Sequence, residues 1–301
     1  MAGEKLLSTL NVGRSNCVPG RLVGSVCRGK CRGSSVENSH LRVAVVFHRD
    51  FRVLKCFRNA DIYFKIHAGS KISARCIRDA ICDDAGENIS DKNCLVNEIT
   101  AIYWLWKHYH EIGNPDYIGL MHYRRHLDFQ MDDLSENQIV AGEIDAKMSV
   151  RDFYAKIHHV EDLDLFCENL KREFLGATVA EKLDKFLRQN MLCPCNMFVM
   201  SRTKFLEYAE FMNKCLAVEF GMMQRHEINL TMRVGFQKRV YGYILERMTA
   251  FWLFMQQEKG LCNLVIRPIT VYPEYECLPF WEQRLIDLKR ICRKFMWWRG
   301  R

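Results

Sequence analysis

Strand-length apolar runs that alternate with a helical apolar pattern most constrain how this chain folds. Arg42–Phe47 and Asp116–Met121 are apolar runs typical of buried strands, the first of them rich in β-branched residues. Between them lie an extended piece, Asp61–His67, and apolar residues at helical spacing from Leu95 to Tyr109. This β–β–α–β order predicts a mixed α/β sheet with helices packed on it.

The rest of the chain continues the alternation and is richer in helices, so the C-terminal half is predicted to be mostly helical. The further predicted elements are helices over residues 150–190, near Thr203–Phe220 and near Gln237–Gln257, and extended stretches at Asn196–Met200 and Asn263–Thr270. Residues 42–279 are therefore predicted to form one folded domain. Residues 1–41, dominated by Gly, Ser, Asn and Arg, are predicted to be a disordered basic leader.

The uneven placement of charge argues against nucleic acid as a partner. Of the net charge of +8, residues 1–41 carry +4 and residues 284–301 carry +6, which leaves −2 for the middle of the chain. A nucleic-acid-binding protein usually spreads positive charge over its folded face. The 14 cysteines are scattered along the chain rather than arranged as a disulfide framework, which favours a reducing cytoplasm.

The C-terminal segment, residues 280–301, combines basic residues and tryptophans on a helical pattern. A basic amphipathic helix of this kind suits the surface of an anionic membrane, the alternative being a terminal helix packed on the domain. No apolar run approaches the roughly 20 residues that span a bilayer. We therefore expect a cytoplasmic protein held peripherally at the inner face of the cell membrane.

A polar loop before the first helix is the first candidate binding segment. Asp84, Asn88 and Asn93 can hydrogen-bond a hydroxyl-rich or phosphate-bearing ligand, and the alternative is ordinary loop and capping chemistry. Glu98 directly precedes the core residue Ile99, where an unpaired carboxylate would be costly. It is therefore expected to have a specific partner.

Two strand ends supply the second group of candidates. His48 follows the first apolar run, and His122, Arg124 and Arg125 follow the run that ends at Met121. In open α/β sheets this edge binds ligands, and guanidinium groups are planar forks for phosphate oxygens. Since neighbouring strand residues point to opposite faces, one arginine is expected to meet ligand and the other the sheet or Glu98. The alternative is a structural ion pair.

Acidic residues in the helical half are candidates for proton transfer. His159 and Asp162 share a helix face at a spacing of three. Asp162 and Asp164 resemble the acidic pair that holds a divalent metal in many sugar transferases, yet residues two apart on a helix point away from each other. Glu246 and Arg247 favour a buried ion network slightly over catalysis. The sequence therefore predicts no metal ligands and leaves a requirement for Mg²⁺ or Mn²⁺ open.

The chain also resembles a known family in several ordered motifs between residues 42 and 272. It resembles bacterial surface-polysaccharide glycosyltransferases, a group long described only as a domain of unknown function, with galactofuranosyltransferase-like members. The basic ends fall outside the resemblance. The motifs are DDAGENISDKN (83–93), NEITAIYWLWKH (97–108), DYIGLMHYRRHL (116–127), YAKIHHVEDLDL (154–165), NMFVM (196–200) and RVYGYILERMTAFWL (239–253).

The resemblance implies a glycosyltransferase of the A type, with one Rossmann-like mixed sheet that holds a nucleotide sugar. It implies transfer of a hexosyl group, galactofuranosyl or another UDP-linked hexose, to a lipid-linked or oligosaccharide acceptor in surface-polysaccharide biosynthesis. The HYRR segment stands where other A-type enzymes carry an acidic metal site. We therefore expect Arg124 and Arg125 to neutralise the diphosphate leaving group in place of a cation.

The residue roles are our hypothesis for a protein with this resemblance. If the reaction inverts, Asp162 is the preferred base and Glu246 the second choice. The alternative function is a non-catalytic nucleotide-sugar or carbohydrate-binding protein on the same scaffold. The expected donor-side residues are His48, Asp84, Asn88, Asn93, Glu98 (which orients an arginine), His122, Arg124 and Arg125, and the expected acceptor-side residues are Tyr154, His159 and Asn196.

Overall fold

The computed structural model describes residues 40–287, and the predicted alternation of strands and helices is present there. Most of the predicted leader and of the predicted C-terminal helix lie outside the described residues. The strands are β1 (Leu41–Phe47), β2 (Tyr63–His67), β3 (Ala80–Cys82), β4 (Tyr117–His122), β5 (Arg125–Leu127), β6 (Gln138–Ala141), β7 (Ile144–Asp145), β8 (Met191–Leu192), β9 (Phe198–Ser201), β10 (Asn263–Ile266) and β11 (Ile269–Val271). The helices are α1 (Asn93–Val96), α2 (Ile99–Lys107), α3 (Val150–Ala155), α4 (Val160–Phe174), α5 (Ala177–Arg188), α6 (Arg202–Gln224), α7 (Val240–Glu258) and α8 (Glu274–Cys277), and residues 280–287 are also helical.

The described strands form one nine-stranded mixed sheet and a separate two-stranded sheet of β7 and β8. The main order is β10-β6-β9-β4-β1-β2-β3, and β5 pairs with both β4 and β11. Strand β1 lies parallel to β2 and β4, with Val43 opposite Tyr63 on one side and Gly119 on the other. Strand β9 lies antiparallel to β4 and β6. The predicted mixed α/β class is confirmed.

Both faces of the sheet are covered, which explains why β1 reads as a nearly unbroken apolar run. Ala44 and Val46 pack into the cluster formed with the helices, whose largest buried members include Trp104. Val43, Val45 and Phe47 point to the opposite face. That face is covered by a second buried cluster, which includes Phe51, Leu54, Phe57, Met121 and Tyr123.

The single helix predicted between Leu95 and Tyr109 is two helices, α1 and α2. The break is at Asn97, which has a left-handed φ of 57°. Helix α7 approaches this point so closely that a Cβ added to Gly242 would lie 2.1 Å from Asn97 Nδ2. Helical periodicity continues through the break, so the sequence pattern alone does not mark it. The break places Glu98 immediately before α2, at the side of α7.

Across residues 40–287, no helix combines the length and the apolar character that a membrane span requires.

Candidate active site

The carboxyl ends of the four neighbouring parallel strands meet at one edge of the sheet. Phe47 of β1 is opposite His67 of β2, which is opposite Cys82 of β3. On the other side of β1, Val46 is opposite His122 of β4. His48, the loop of residues 83–93 and the HYRR segment therefore all emerge at this edge, where open α/β sheets bind ligands.

His48 is exposed at this edge and leans on two aromatic rings. Its ring is edge-on to those of Phe51 and Tyr123, with centroid distances of 5.2 Å to each. Partial desolvation against its surroundings, together with the nearby Arg239 guanidinium, lowers the pKa of His48. The imidazole is therefore neutral at pH 7 and offers one hydrogen-bond donor and one acceptor to a ligand.

Arg124 and Arg125 are half-buried cations at the same edge of the sheet. Within residues 40–287, neither guanidinium makes a hydrogen bond or an ion pair. Burial raises the pKa of the Cys195 thiol to about 12, and Arg125 is close enough to oppose that rise. Burial likewise raises the pKa of the Cys277 thiol, which Arg124 opposes. Since a partly desolvated charge is costly to leave unpaired, these groups indicate an anionic ligand.

Glu98 pairs with an amide rather than with an arginine, which corrects the sequence expectation. Asn196 Nδ2 donates to Glu98 Oε1 at 2.7 Å, and His122 Nε2 lies 3.8 Å from the same oxygen. Asn196 Oδ1 in turn accepts from the Thr249 hydroxyl at 2.5 Å. Asn196 is almost fully buried with both ends of its amide engaged, so it positions Glu98 instead of lining an acceptor surface. Glu98 Oε2 has no hydrogen-bond partner within residues 40–287 and is not enclosed.

The turn before β9 holds two residues in the left-handed region, Cys195 with φ 66° and Asn196 with φ 51°. Cys195 N–H donates to Glu246 Oε1 at 2.5 Å, and His122 Nε2 donates to the Cys195 carbonyl oxygen at 2.7 Å. Two consecutive non-glycine residues of this kind are costly and persist only where their surroundings hold them. The contacts to Glu246 and His122 supply that restraint beside the sheet edge.

Glu246 is part of an ion pair, as the favoured interpretation of the sequence predicted. Arg247 Nη1 donates to Glu246 Oε2 at 2.7 Å, and only 5% of the Arg247 side chain is exposed. Glu246 Oε1 accepts from the Cys195 N–H, so both oxygens of the Glu246 carboxylate are hydrogen-bonded. This geometry favours a positioning role for Glu246 over proton transfer.

Asp162, the preferred base, is also held in an ion pair. Arg233 Nη2 lies 2.8 Å from each Asp162 oxygen, and the carboxylate side chain is 9% exposed. Desolvation raises the pKa of Asp162, while Arg233 opposes that rise. Asp164 pairs separately with Arg151 at 2.8 Å, so the two carboxylates do not converge. Among the described residues, no three or more His, Cys, Asp and Glu side chains lie close enough to hold a metal ion.

The sequence analysis named His159 as a candidate, but the histidine that lies beside the candidate residue Tyr154 is its neighbour His158. Its ring stacks on Tyr243 with centroids 4.1 Å apart, and burial lowers the pKa of His158. Tyr154 is fully buried next to this ring rather than open to an acceptor. His159 is exposed just before α4. The sequence could have indicated that His158 lies next to Tyr154, because residues four apart are neighbours on one face of a helical turn.

In the polar loop of residues 83–93, the side-chain amides of Asn88 and Asn93 hydrogen-bond to nearby backbone carbonyl oxygens. Asn88 Nδ2 donates to the carbonyl oxygens of Asp84 and Gly86, and Asn93 Nδ2 donates to the Asn97 carbonyl oxygen at 2.6 Å. These two asparagines therefore shape the loop, as the capping alternative predicted. The Asp84 side chain is exposed and is the member of the set that faces solvent.

The chain resembles known proteins both in sequence, through a family, and in fold. A family model described as "Domain of unknown function (DUF4422)" matches residues 42–258. The apo structure of WbbM, a bifunctional glycosyltransferase, resembles this chain with a TM-score of 0.64 and 23% sequence identity. The match covers 77% of this chain but 45% of the WbbM chain, which is less than half of that protein. The likeness shows a shared fold, and no curated protein sequence matches this chain.

Proposed function

We propose that this chain, which belongs to the DUF4422 family, is a glycosyltransferase that moves a hexosyl group from a nucleotide sugar to a hydroxyl group. The fold that it shares with WbbM supports this proposal. The observation that carries it is the pair of half-buried arginines, Arg124 and Arg125, which have no acidic partner among residues 40–287 and lie at the ligand-binding edge of the sheet. A nucleoside diphosphate is the anion that this edge commonly accommodates.

The resemblance carried by the motifs described above supports a proposal for the donor and the acceptor. We propose a UDP-linked hexose, with galactofuranose as one member of that class, and a lipid-linked or oligosaccharide acceptor in surface-polysaccharide biosynthesis. The enzyme would then work at the inner face of the cell membrane. His48 and Asp84, both exposed at the sheet edge, are available for the nucleoside and for sugar hydroxyls.

In the proposed reaction, a bond forms between the acceptor oxygen and the anomeric carbon, and the bond from that carbon to the diphosphate breaks. Negative charge grows on the departing diphosphate, and Arg124 and Arg125 stabilise it without needing to reorganise. The acceptor proton passes to a carboxylate if the reaction inverts. Glu98 suits this step better than Asp162 or Glu246, because one of its oxygens has no hydrogen-bond partner among residues 40–287. The carboxylates of Asp162 and Glu246 are each held in an ion pair with an arginine.

The decisive measurement is transfer from a panel of UDP-hexoses by purified protein. Arg125→Ala is expected to lower kcat/KM by about 100-fold or more, the effect of removing one donor to transition-state charge. Glu98→Gln, which keeps an oxygen for Asn196, is expected to lower kcat with little change in KM. The assay is run with Mg²⁺, with Mn²⁺ and with a chelator, because the cation requirement is open.

The matched control is Arg188→Ala, which removes an exposed arginine at the end of α5 and should leave transfer unchanged. Wild-type turnover in Arg125→Ala would contradict the diphosphate assignment. The alternative, a non-catalytic nucleotide-sugar-binding protein, predicts that UDP raises the melting temperature while neither transfer nor donor hydrolysis is detected.

A further inference from the structure

Residues 229–239 turn large apolar side chains towards solvent beside the candidate site. Met232 is 77% exposed, Val234 76% and Phe236 55%. We call these three residues the apolar ridge. They alternate along the chain, and the Phe236 ring contacts the rings of His158 and Tyr243. Large exposed apolar side chains grouped within one short segment are typical of an interaction site.

Two polar residues of the same segment, Arg233 and Gln237, are partly buried and hydrogen-bond to the domain. Arg233, between Met232 and Val234, binds both oxygens of the buried Asp162 carboxylate at 2.8 Å. Gln237 Nε2 donates to the Ile157 carbonyl oxygen at 2.6 Å. These contacts hold the segment to α4 and to the end of α3. The ridge is thus displayed by specific polar contacts rather than left exposed by poor packing.

The charge of the segment indicates which kind of apolar partner it meets. Residues 229–239 contain three basic side chains and no acidic one. Arg233 is used internally, whereas Lys238 and Arg239 are exposed next to the ridge. Apolar side chains bordered by cations fit the interface of an anionic bilayer, where the chains enter the acyl boundary and the cations meet headgroup phosphates.

A second exposed apolar group lies at the same edge of the molecule. Arg239 is close enough to His48 to lower its pKa, after the larger effect of desolvation. Arg49, which follows His48 in the chain, forms an ion pair with Glu282 at 2.8 Å. Phe280 and Trp281, which directly precede Glu282, are each 66% exposed. Exposed apolar residues of both segments therefore lie close in sequence to groups that interact with His48 or with its neighbour Arg49.

We propose that the apolar ridge is a membrane-contact element that enters the interface of an anionic lipid bilayer, with Lys238 and Arg239 on the headgroups. The proposal does not depend on the catalytic assignment. It also differs from membrane binding by residues 280–301, because it places contact within the domain.

The first test is co-sedimentation of the full chain with phosphatidylglycerol/phosphatidylethanolamine vesicles and with phosphatidylcholine vesicles. The triple variant Met232→Ser, Val234→Ser, Phe236→Ser is expected to partition about tenfold or more weakly to the anionic vesicles. The matched control substitutes serine at three other exposed apolar positions, Ile72 (50%), Phe174 (44%) and Leu261 (47%), and should partition like wild type. Thermal melting of both variants must show a cooperative transition, because each replaces side chains that are only partly exposed.

The second test is hydrogen exchange, which reports on the segment itself. Amides of residues 229–239 should exchange more slowly when the full chain is on anionic vesicles, and not with phosphatidylcholine vesicles. Unchanged exchange on anionic vesicles, or wild-type partitioning of the ridge variant, would overturn the proposal. Protection that grows with protein concentration without vesicles would overturn it too, in favour of contact with a second copy of the chain.

Discussion

Glu219 on α6 is a carboxyl group with no exposed surface and no hydrogen-bond partner within residues 40–287. The hydroxyls of Tyr154 and Tyr241, in the same buried region, also lack partners. Among the described residues no cation offsets the loss of water, so burial raises the pKa of Glu219 well above its ordinary range. The side chain therefore keeps its proton to a higher pH in the folded protein than in the unfolded chain.

This protonation predicts an unusual stabilising substitution. The unfolded chain releases the Glu219 proton above about pH 4.3, whereas the folded chain retains it, so stability is lost as pH rises beyond that value. Glu219→Gln should raise the free energy of unfolding at pH 8 by about 1 kcal/mol or more, and the gain should vanish by pH 4. Urea unfolding at pH 4, 6 and 8 measures it. Glu210→Gln, exposed on the same helix, is the control and should show no such trend.

Strand ends were the part of the site that could be predicted from sequence at the level of single residues. His48, Arg124 and Arg125 lie at the sheet edge because each follows a run whose burial is visible in the sequence. The partners of Glu98 and Asp162 could not be predicted in this way. Asn196 lies 98 residues from Glu98, and periodicity reports which face a residue occupies but not which distant element covers it.

At the scale of elements, the junction of α1, α2 and α7 connects packing to the site. Gly242 allows the backbone of α7 to approach Asn97, whose left-handed φ separates α1, which ends at Val96, from α2, which begins at Ile99. Glu98 stands at that junction and Glu246 lies one turn along α7 from Gly242. Both carboxylates contact the turn before β9, so the spacing of these helices sets where the two groups stand.

Gly242→Ala should therefore disturb both stability and catalysis. The added Cβ would lie 2.1 Å from Asn97 Nδ2 and 2.4 Å from its Cγ, so Asn97 must move or α7 must withdraw. Overpacking of this kind costs about 1–3 kcal/mol, and the displacement of Glu98 should lower kcat more than it changes KM. Urea unfolding and transfer kinetics measure the two effects.

The control for this substitution is Gly176→Ala, whose added Cβ would meet no atom within 4 Å. It should change the free energy of unfolding by less than about 1 kcal/mol and leave kcat unchanged. Equal effects of the two substitutions would show that the close approach of α7 to Asn97 does not position Glu98.

For the molecule as a whole, the order of elements was predictable and their pairing was not. The parallel core of β1, β2 and β4 follows from alternating apolar runs, whose periods are local properties of the chain. The insertion of β9 between β6 and β4, antiparallel to both, depends on contacts between segments about 60 to 80 residues apart. Three-residue strands such as β3 and β5 carry too short a pattern to be recognised.

The same whole-molecule view predicts how two membrane contacts combine. If the apolar ridge and the C-terminal segment meet one bilayer, a chain ending at Pro279 should bind anionic vesicles more weakly than the full chain but still measurably. Combining that shortening with the triple serine variant of the ridge should abolish binding, because two linked contacts on one surface reinforce each other. Co-sedimentation at low and high salt ranks the vesicle binding of the full chain, the shortened chain and the combined variant. Salt should weaken the binding of each of them.

Shortening also removes contacts to the domain, among them the Arg49–Glu282 ion pair and the bond from Gln283 Nε2 to the Leu278 carbonyl oxygen at 2.8 Å. Thermal melting of the shortened chain must therefore show a cooperative transition before its binding is interpreted. A folded shortened chain with no vesicle binding would mean that the ridge cannot hold the protein on a membrane by itself. Full binding after shortening would instead remove the C-terminal segment from the membrane contact, leaving the domain to orient the sheet edge towards the lipid surface.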